Sequence, residues 1–338
     1  MAVQYGKVVI PRFGGPEVLE IVREDLREAG AGEVRVKVLA AGVSWADYML
    51  RHGAYPRQPR PPLVPGYDVV GLVDQLGAGA TRFETGQMVA ALTGTGGHSE
   101  YVFLPEGELV PVPAGLDPAA AVCLVLNYVT AYQMLCRLAG VARGGRMLAH
   151  SAAGGVGTAL LELGRLGGLE TFGTASAGKR DLVTRLGAKF IDYQRQDFVA
   201  RIHQLAPGGV EVVFDAIGGS HWLRSRRCLR RGGKLIAYGS KAAMTRGQSR
   251  LTRNLPDLGA AALLMALPRG RQFRFYNITA TRARHPEWFE EDLSTLFGLL
   301  AEGQIQPIIA QRLPWTEARR ANELLEQGAI QGKLVLTF

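Results

Sequence analysis

At 338 residues, 47% of them hydrophobic and 20% charged, the chain is long enough for two domains with sizeable cores, and its composition excludes a disordered or collagen-like protein. Its net charge of +9 would favour anionic ligands, yet the basic residues are scattered without interleaved aromatics, so no specific nucleic-acid partner is expected. Three cysteines, Cys123, Cys136 and Cys228, are too few and too far apart for a disulfide framework or a paired-cysteine metal site, so a reducing, cytoplasmic setting is expected. Residues 1–7 lack the apolar stretch of a signal peptide. The apolar runs Ala119 to Leu126 and Leu258 to Leu267 fall short of the roughly 20 residues that cross a bilayer. No membrane partner is expected.

Residues 1 to about 121 are rich in Gly, Pro and β-branched residues. Glu33 to Leu39 alternates polar and apolar, and Val69 to Asp74 and Gln87 to Ala91 follow the same pattern, which predicts half-buried strands of a small β-barrel. Near Asp117 the texture changes: Asp117 and Pro118 open one apolar helix through Cys123, and Tyr128 to Ala139 forms a second that Gly140 ends.

From Arg146 the chain alternates strands and helices. The strands are expected at Arg146–His150, Thr171–Gly173, Phe190–Ile191, Val210–Phe214 and Lys234–Tyr238. Helices are expected at Thr158–Leu166, Lys179–Leu186, Phe198–Leu205 and His221–Leu229, with Arg224 to Arg231 as the solvated side and C-terminal end of the last. This rhythm predicts an α/β fold with a doubly wound parallel sheet. Ser240 to Arg271 interrupts it with a basic loop and an apolar helix, after which Phe273 to Ile278 reads as one more strand. The remainder, Pro286 to Phe338, does not extend the alternation and is expected to return to the first domain.

Between the first of these strands and its helix stand Ala152, Gly154 and Gly157, in the slots of G-x-G-x-x-G. Small residues there let the backbone approach a pyrophosphate and aim a helix N-terminus at it. The triplet follows an apolar strand, opens a helix and lies in a βαβ unit, the context a dinucleotide site requires. Ser151, Ala152, Gly154, Gly155, Val156 and Gly157 are therefore candidate cofactor residues.

The next strand selects the dinucleotide. An NAD site places an acid there for the ribose 2′-hydroxyl. Here Gly173 to Arg180 contains no carboxylate before Asp181, but offers Thr174, Ser176 and Lys179 to a 2′-phosphate. Charge-assisted bonds of about 1.5–3 kcal/mol each predict a preference for NADPH over NADH of at least about tenfold.

The stretches Gly42–Asp47, Arg51 to Tyr55, Pro65–Gly66, Asn127–Tyr132, His150–Gly157 and Gly332–Leu336 together resemble the medium-chain dehydrogenase/reductases. More narrowly the chain looks like their zinc-independent quinone oxidoreductase branch, with its synaptic-vesicle-protein-like and enoyl-reductase-like members. The resemblance implies a GroES-like β-barrel catalytic domain (residues 1–121 and 279–338), a Rossmann NADPH-binding domain (122–278), a cleft between them and a homodimer through the strand Phe273 to Ile278. It also implies Tyr193 near the 2′-phosphate, and Gly218, Tyr238 and Gly239 on the nicotinamide side.

Zinc-dependent relatives hold a Cys where Ser44 stands and a Gly-His-Glu where this chain has Gly66, Tyr67 and Asp68, so no metal is expected. A hydride acceptor must then be polarised already, as an enone, enal or quinone is. The resemblance places Ser44, Tyr55, Asn127 and Thr130 around substrate and nicotinamide, with Tyr55 or Tyr48 as proton or hydrogen-bond donor. Ser44 replaces an asparagine common in the branch and Met49 a tyrosine, which leaves another group or water open as the acid. Asp47 is expected to be a structural partner for backbone or for Arg51. His98, His203, His221 and His285 show no metal or triad spacing and read as surface or core residues. Two other functions fit the same cofactor: a specialised biosynthetic reductase or cyclase, its specificity set by Ser240 to Arg271, and a non-catalytic NADPH-binding protein that associates with RNA, membrane or protein.

Overall fold

The computed structural model describes residues 3–55, 58–240, 255–266 and 270–338. In chain order its strands are β1 (Gln4–Val9), β2 (Glu20–Asp25), β3 (Glu33–Val43), β4 (Val69–Leu76), β5 (Met88–Ala91), β6 (Tyr101–Pro105), β7 (Leu109–Pro111), β8 (Arg146–Ala149), β9 (Glu170–Ala175), β10 (Lys189–Asp192), β11 (Val210–Asp215), β12 (Leu229–Ala237), β13 (Gln272–Phe275), β14 (Ile309–Pro314) and β15 (Lys333–Thr337). They fall into two units, Met1–Val129 with Pro286–Phe338, and Thr130–His285.

The first unit is built on β3. Val34, Val36 and Val38 alternate inward along it and meet Val69, Val73, Val89 and Leu109 in one core. Period-two alternation buries one face of such a strand and leaves the other for solvent. The sheet runs β14-β15-β3-β4-β5-β7, with β6 on β3, while β1 and β2 form a separate hairpin. β15 joins β3 antiparallel, with Leu334 opposite Val43.

The second unit is a six-stranded sheet in the order β10-β9-β8-β11-β12-β13, every pairing parallel. Met147, Leu148 and Ala149 on β8 are wholly buried, as strands covered on both faces must be. Leu148, Phe172, Ile191, Val213 and Leu235 form the core with Phe198 and Trp222 from the flanking helices. Where β8 stands between β9 and β11 the winding reverses, and that reversal marks where such sheets bind ligands, at the carboxyl ends of the strands.

Three elements depart from expectation. The two helices expected near Asp117 are one, Pro118–Ala139, containing two wide-turn π segments at Leu124–Tyr128 and Gln133–Ala139. At 22 residues and a mean hydropathy of 1.5 it is long and apolar enough to cross a membrane, contrary to the shorter runs read from the sequence, yet 78% of its apolar window is buried. The helix expected to reach Leu229 stops at Arg227, and β12 begins at Leu229 inside the arginine run, because a backbone turn at Gly232, φ 80°, lets the strand bulge and continue. The last expected strand ends at Phe275, since Asn277 turns its side chain to cap the helix Ile278–Arg284, accepting from the Ala280 N–H. Of the segment Ser240 to Arg271, residues 241–254 and 267–269 lie outside the described residues. The apolar helix within it is Leu255–Ala266.

Candidate active site

The glycine turn leaves β8 through His150 and Ser151, whose φ of 53° is the one positive value at a non-glycine among the described residues. Gly154 precedes the helix Gly155–Leu166, whose first N–H groups have no partner within the helix. The six candidates divide by burial. Ala152 and Gly157 are buried, whereas Ser151, Gly154, Gly155 and Val156 are partly exposed. A Cβ on Gly157 would lie 2.2 Å from the Ser151 carbonyl oxygen, so this glycine is required for the helix to sit down on the turn. A Cβ on Gly154 would meet nothing closer than 3.4 Å, so packing makes no such demand there, and its N–H donates to the Ser151 carbonyl at 2.9 Å.

On β9 the Ala152 N–H is bonded to the Thr174 carbonyl at 3.1 Å, which fixes the turn against the strand that carries the selective loop. Ser176 and Lys179 lie beyond it, both partly exposed, with the Lys179 N–H bonded to the Ser176 carbonyl at 2.9 Å. Tyr193 is 54% exposed after β10. Thr174 is different: it is 3% exposed, and its hydroxyl lies 2.9 Å from His150 Nδ1. It therefore supports the loop from beneath.

That contact opens a buried polar chain. His150 Nε2 lies 3.0 Å from Ser225 Oγ, and Ser225 donates to Asp215 Oδ2 at 2.6 Å. His221 Nδ1 lies 2.7 Å from the same carboxylate oxygen. The other oxygen, Oδ1, accepts from the Ile217 N–H at 2.7 Å and so shapes the turn leading to Gly218 and Gly219. Burial pushes the His150 imidazole down to about 3, so it is neutral. Burial would raise the Asp215 carboxyl, but the His221 and His150 rings and the Ser225 hydroxyl outweigh it and hold it below the usual range. Tyr238 and Gly239 follow β12, and burial with the Asp215 anion raises the Tyr238 phenol.

His221 is thus neither a plain surface nor a plain core residue, contrary to the sequence reading. The ligand atoms of His150, Asp215 and His221 lie within 4.8 Å of one another, as around a metal ion. Ser225 Oγ, however, is 3.0 Å, 2.6 Å and 3.4 Å from those atoms and takes the place between them. No local spacing announced this cluster, because its members come from two strand ends and one helix.

In the first unit, Ser44 caps the helix Trp45–Arg51. Its N–H and hydroxyl both donate to Asp47 Oδ2, at 2.8 and 2.7 Å, and the Gly66 N–H donates to Oδ1 at 2.8 Å. Asp47 therefore orders backbone, while Arg51 turns to Glu326 and the Gly14 carbonyl. Tyr48 stacks on Trp45, ring centroids 4.2 Å apart, and packs on His52. The Tyr55 and Tyr67 hydroxyls are 2.6 Å apart; Tyr67 is buried and Tyr55 partly exposed. Tyr67 was named in the sequence only as an absent zinc ligand. Asp68 is buried against Lys333; burial pushes its carboxyl up and the ammonium opposes that. Ser44, Tyr67 and Asp68 are thus engaged with Asp47, Tyr55 and Lys333. Asn127, in the first π segment, is 7% exposed, and in the second unit Thr130 is 6% exposed.

Residues 30–114 match the family model of the alcohol dehydrogenase GroES-like domain, and residues 186–336 that of the zinc-binding dehydrogenase. The chain is 30% identical to a quinone oxidoreductase of Pseudomonas aeruginosa over 98% of each chain. It is also 30% identical to the synaptic vesicle membrane protein VAT-1 homolog of Rattus norvegicus, over 97% of this chain and 83% of that one. Among solved structures, Escherichia coli quinone oxidoreductase complexed with NADPH superposes with a TM-score of 0.87 at 27% identity, over 98% of this chain and all of the other.

Proposed function

We infer the chemistry from one premise: this chain belongs to the medium-chain dehydrogenase/reductase superfamily, in its quinone-oxidoreductase-like branch. It is an NADPH-dependent reductase of that family. Its substrate, in our reading, is an activated alkene or quinone, reduced without zinc. The observation that carries this reading is the engagement of Ser44, Tyr67 and Asp68 with protein partners, which leaves no soft or imidazole donor set at those positions. Lacking a Lewis acid there, the protein needs an acceptor whose carbonyl already draws charge from the carbon that receives hydride.

NADPH, when bound, supplies the hydride. Ser151, Gly155 and Val156, with Gly154 shaping the turn, would hold its pyrophosphate at the helix N-terminus, and Ser176, Lys179 and Tyr193 would hold the 2′-phosphate. As charge moves onto the substrate carbonyl, Tyr55 donates a proton or hydrogen bond to that oxygen. The Tyr67 hydroxyl, 2.6 Å from the Tyr55 oxygen, would stabilise the phenolate left behind. We also propose a cytoplasmic homodimer paired through β13, which lies at the end of its sheet.

The test is to mix purified protein with NADPH and a panel of enones, enals and quinones and follow the absorbance of the reduced nicotinamide. Consumption unaffected by a strong chelator is expected. Activity that is lost on chelation and restored by zinc would overturn the zinc-free reading, and tight NADPH binding with no acceptor consumed would overturn the substrate reading. A monomeric mass in solution would dispose of the dimer.

A further inference from the structure

The buried chain beneath the glycine turn has a direction. Ser225 has one proton, and it goes to the Asp215 carboxylate. Toward His150 the serine can then only accept, so His150 carries its hydrogen on Nε2. The ring is neutral, so Nδ1 is bare and accepts from the Thr174 hydroxyl. On the far side His221 donates from Nδ1 to the same carboxylate. Every proton is thereby placed, and the Thr174 hydroxyl has none left to offer a phosphate.

The chain also has two ends at the carboxyl ends of parallel strands, β9 and β11. One end is Thr174, where β9 gives way to the loop of Ser176 and Lys179. The other is Asp215, whose second oxygen holds the Ile217 N–H and so the turn beyond β11. His150, between them, is the residue from which the glycine turn departs.

We propose that Ser225 is a positioning residue for NADPH: through His150 and Thr174 it holds the 2′-phosphate loop in register with the glycine turn, anchored on Asp215. Ser225→Ala leaves the His150 Nε2–H buried without its acceptor, and the ring no longer presents a fixed Nδ1 to Thr174. The loop then loses its side-chain tie to the turn and keeps only the Ala152 N–H bond to the Thr174 carbonyl, although no residue that touches the cofactor has changed. Ser225 is wholly buried, so the effect must be transmitted.

The experiment titrates NADPH and NADH into wild type, Ser225→Ala, Thr174→Val and the double variant, following nicotinamide fluorescence, with steady-state kinetics alongside. Each single variant is expected to weaken NADPH about five- to tenfold and NADH no more than about twofold. The expected kinetic signature is a raised KM for NADPH with kcat at saturation within about twofold. Because both variants cut one chain, the double variant should be no weaker than the poorer single, and Thr174→Ser should return affinity to within about twofold of wild type. Losses that add, losses equal for the two dinucleotides, a fall in kcat at unchanged KM, or harm from Thr174→Val without harm from Ser225→Ala would each overturn the proposal. It rests on Ser176 and Lys179 as the 2′-phosphate contacts, and Lys179→Ala, measured in parallel, reports on that reading alone. Should Lys179→Ala leave the NADPH to NADH ratio unchanged, the phosphate reading falls, while the non-additivity of the other two variants still decides whether the chain acts as a unit.

Discussion

Around the glycine turn the hydroxyls of Thr174 and Ser225 are buried and spent on other side chains, and what the turn leaves partly exposed is Ser151, Gly154, Gly155 and Val156. Around Tyr55 the division is different. Ser44 is spent on Asp47, but the Tyr55–Tyr67 pair keeps one phenol partly exposed and backs it with another that is not. The first arrangement suits a ligand held by many weak donors in fixed places. The second suits a step in which a single proton changes hands.

Substitutions that act on backbone geometry should therefore damage the first region most, and the largest effect is expected at Gly157. Its Cβ would meet backbone, which cannot rotate away, so Gly157→Val should cost about 3 kcal/mol or more of stability and abolish NADPH binding. Thermal unfolding and fluorescence titration check both, and a variant that melts and binds like wild type would remove the distinction drawn here. In the second region the expected loss is in rate. Tyr55→Phe should lower kcat about a hundredfold with little change in KM, and Tyr67→Phe about tenfold. Equal KM increases without rate loss would mean that the pair only binds.

A smaller effect sharpens the first half of the comparison. Lys179→Ala should raise the KM for NADPH about tenfold and that for NADH hardly at all. An effect on stability, not on binding, comes from the buried ring of His150. Its imidazole, held near 3 in the fold against an ordinary 6.5, stays neutral while the unfolded chain takes up a proton below about pH 6.5. Stability therefore falls as pH drops from about 6.5 toward about 3, by up to about 1.4 kcal/mol per pH unit. Denaturant melts at pH 6.5 and pH 5 should differ by about 2 kcal/mol in wild type and by clearly less in His150→Gln. Identical slopes in the two proteins would show that burial of this ring is not coupled to folding.

The glycine turn was legible in the sequence because its signal is local: a strand, small residues at fixed offsets and a helix all fall within one short stretch. The alternation of strands and helices was legible for the same reason, since the central strands β8 and β11 are apolar along most of their length. The cluster at Ser225 was not, because Ser225 meets His150 across 75 positions and only the folded sheet brings strand ends together. Tyr67 was hidden differently. Its residue type announced the loss of a zinc ligand, while its partner, Tyr55, could be found only once the loop between them had a path. The start of β12 was masked by arginines that read as the tail of a helix, and the end of β13 by Ile278, apolar enough for a strand but placed after an asparagine that caps a helix. The long helix Pro118–Ala139 was read as two because its wide turns break the periodicity on which a helix is recognised.

The placement of β15 bears on how the protein is made. β15 sits between β14 and β3 and supplies Leu334 and Leu336 to a core that also needs Val8 and Val43. β3 is synthesised early, and β6 can cover its Glu33–Lys37 stretch, but Ala40–Val43 stays unpaired on that side until the segment carrying β15 leaves the ribosome. The unit Thr130–His285 draws all six strands of its sheet from one continuous stretch, so it can close while the barrel around β3 is still waiting. The nucleotide-binding half of the molecule thus becomes a finished body first, and the half that carries Tyr55 is completed by its most distant contacts.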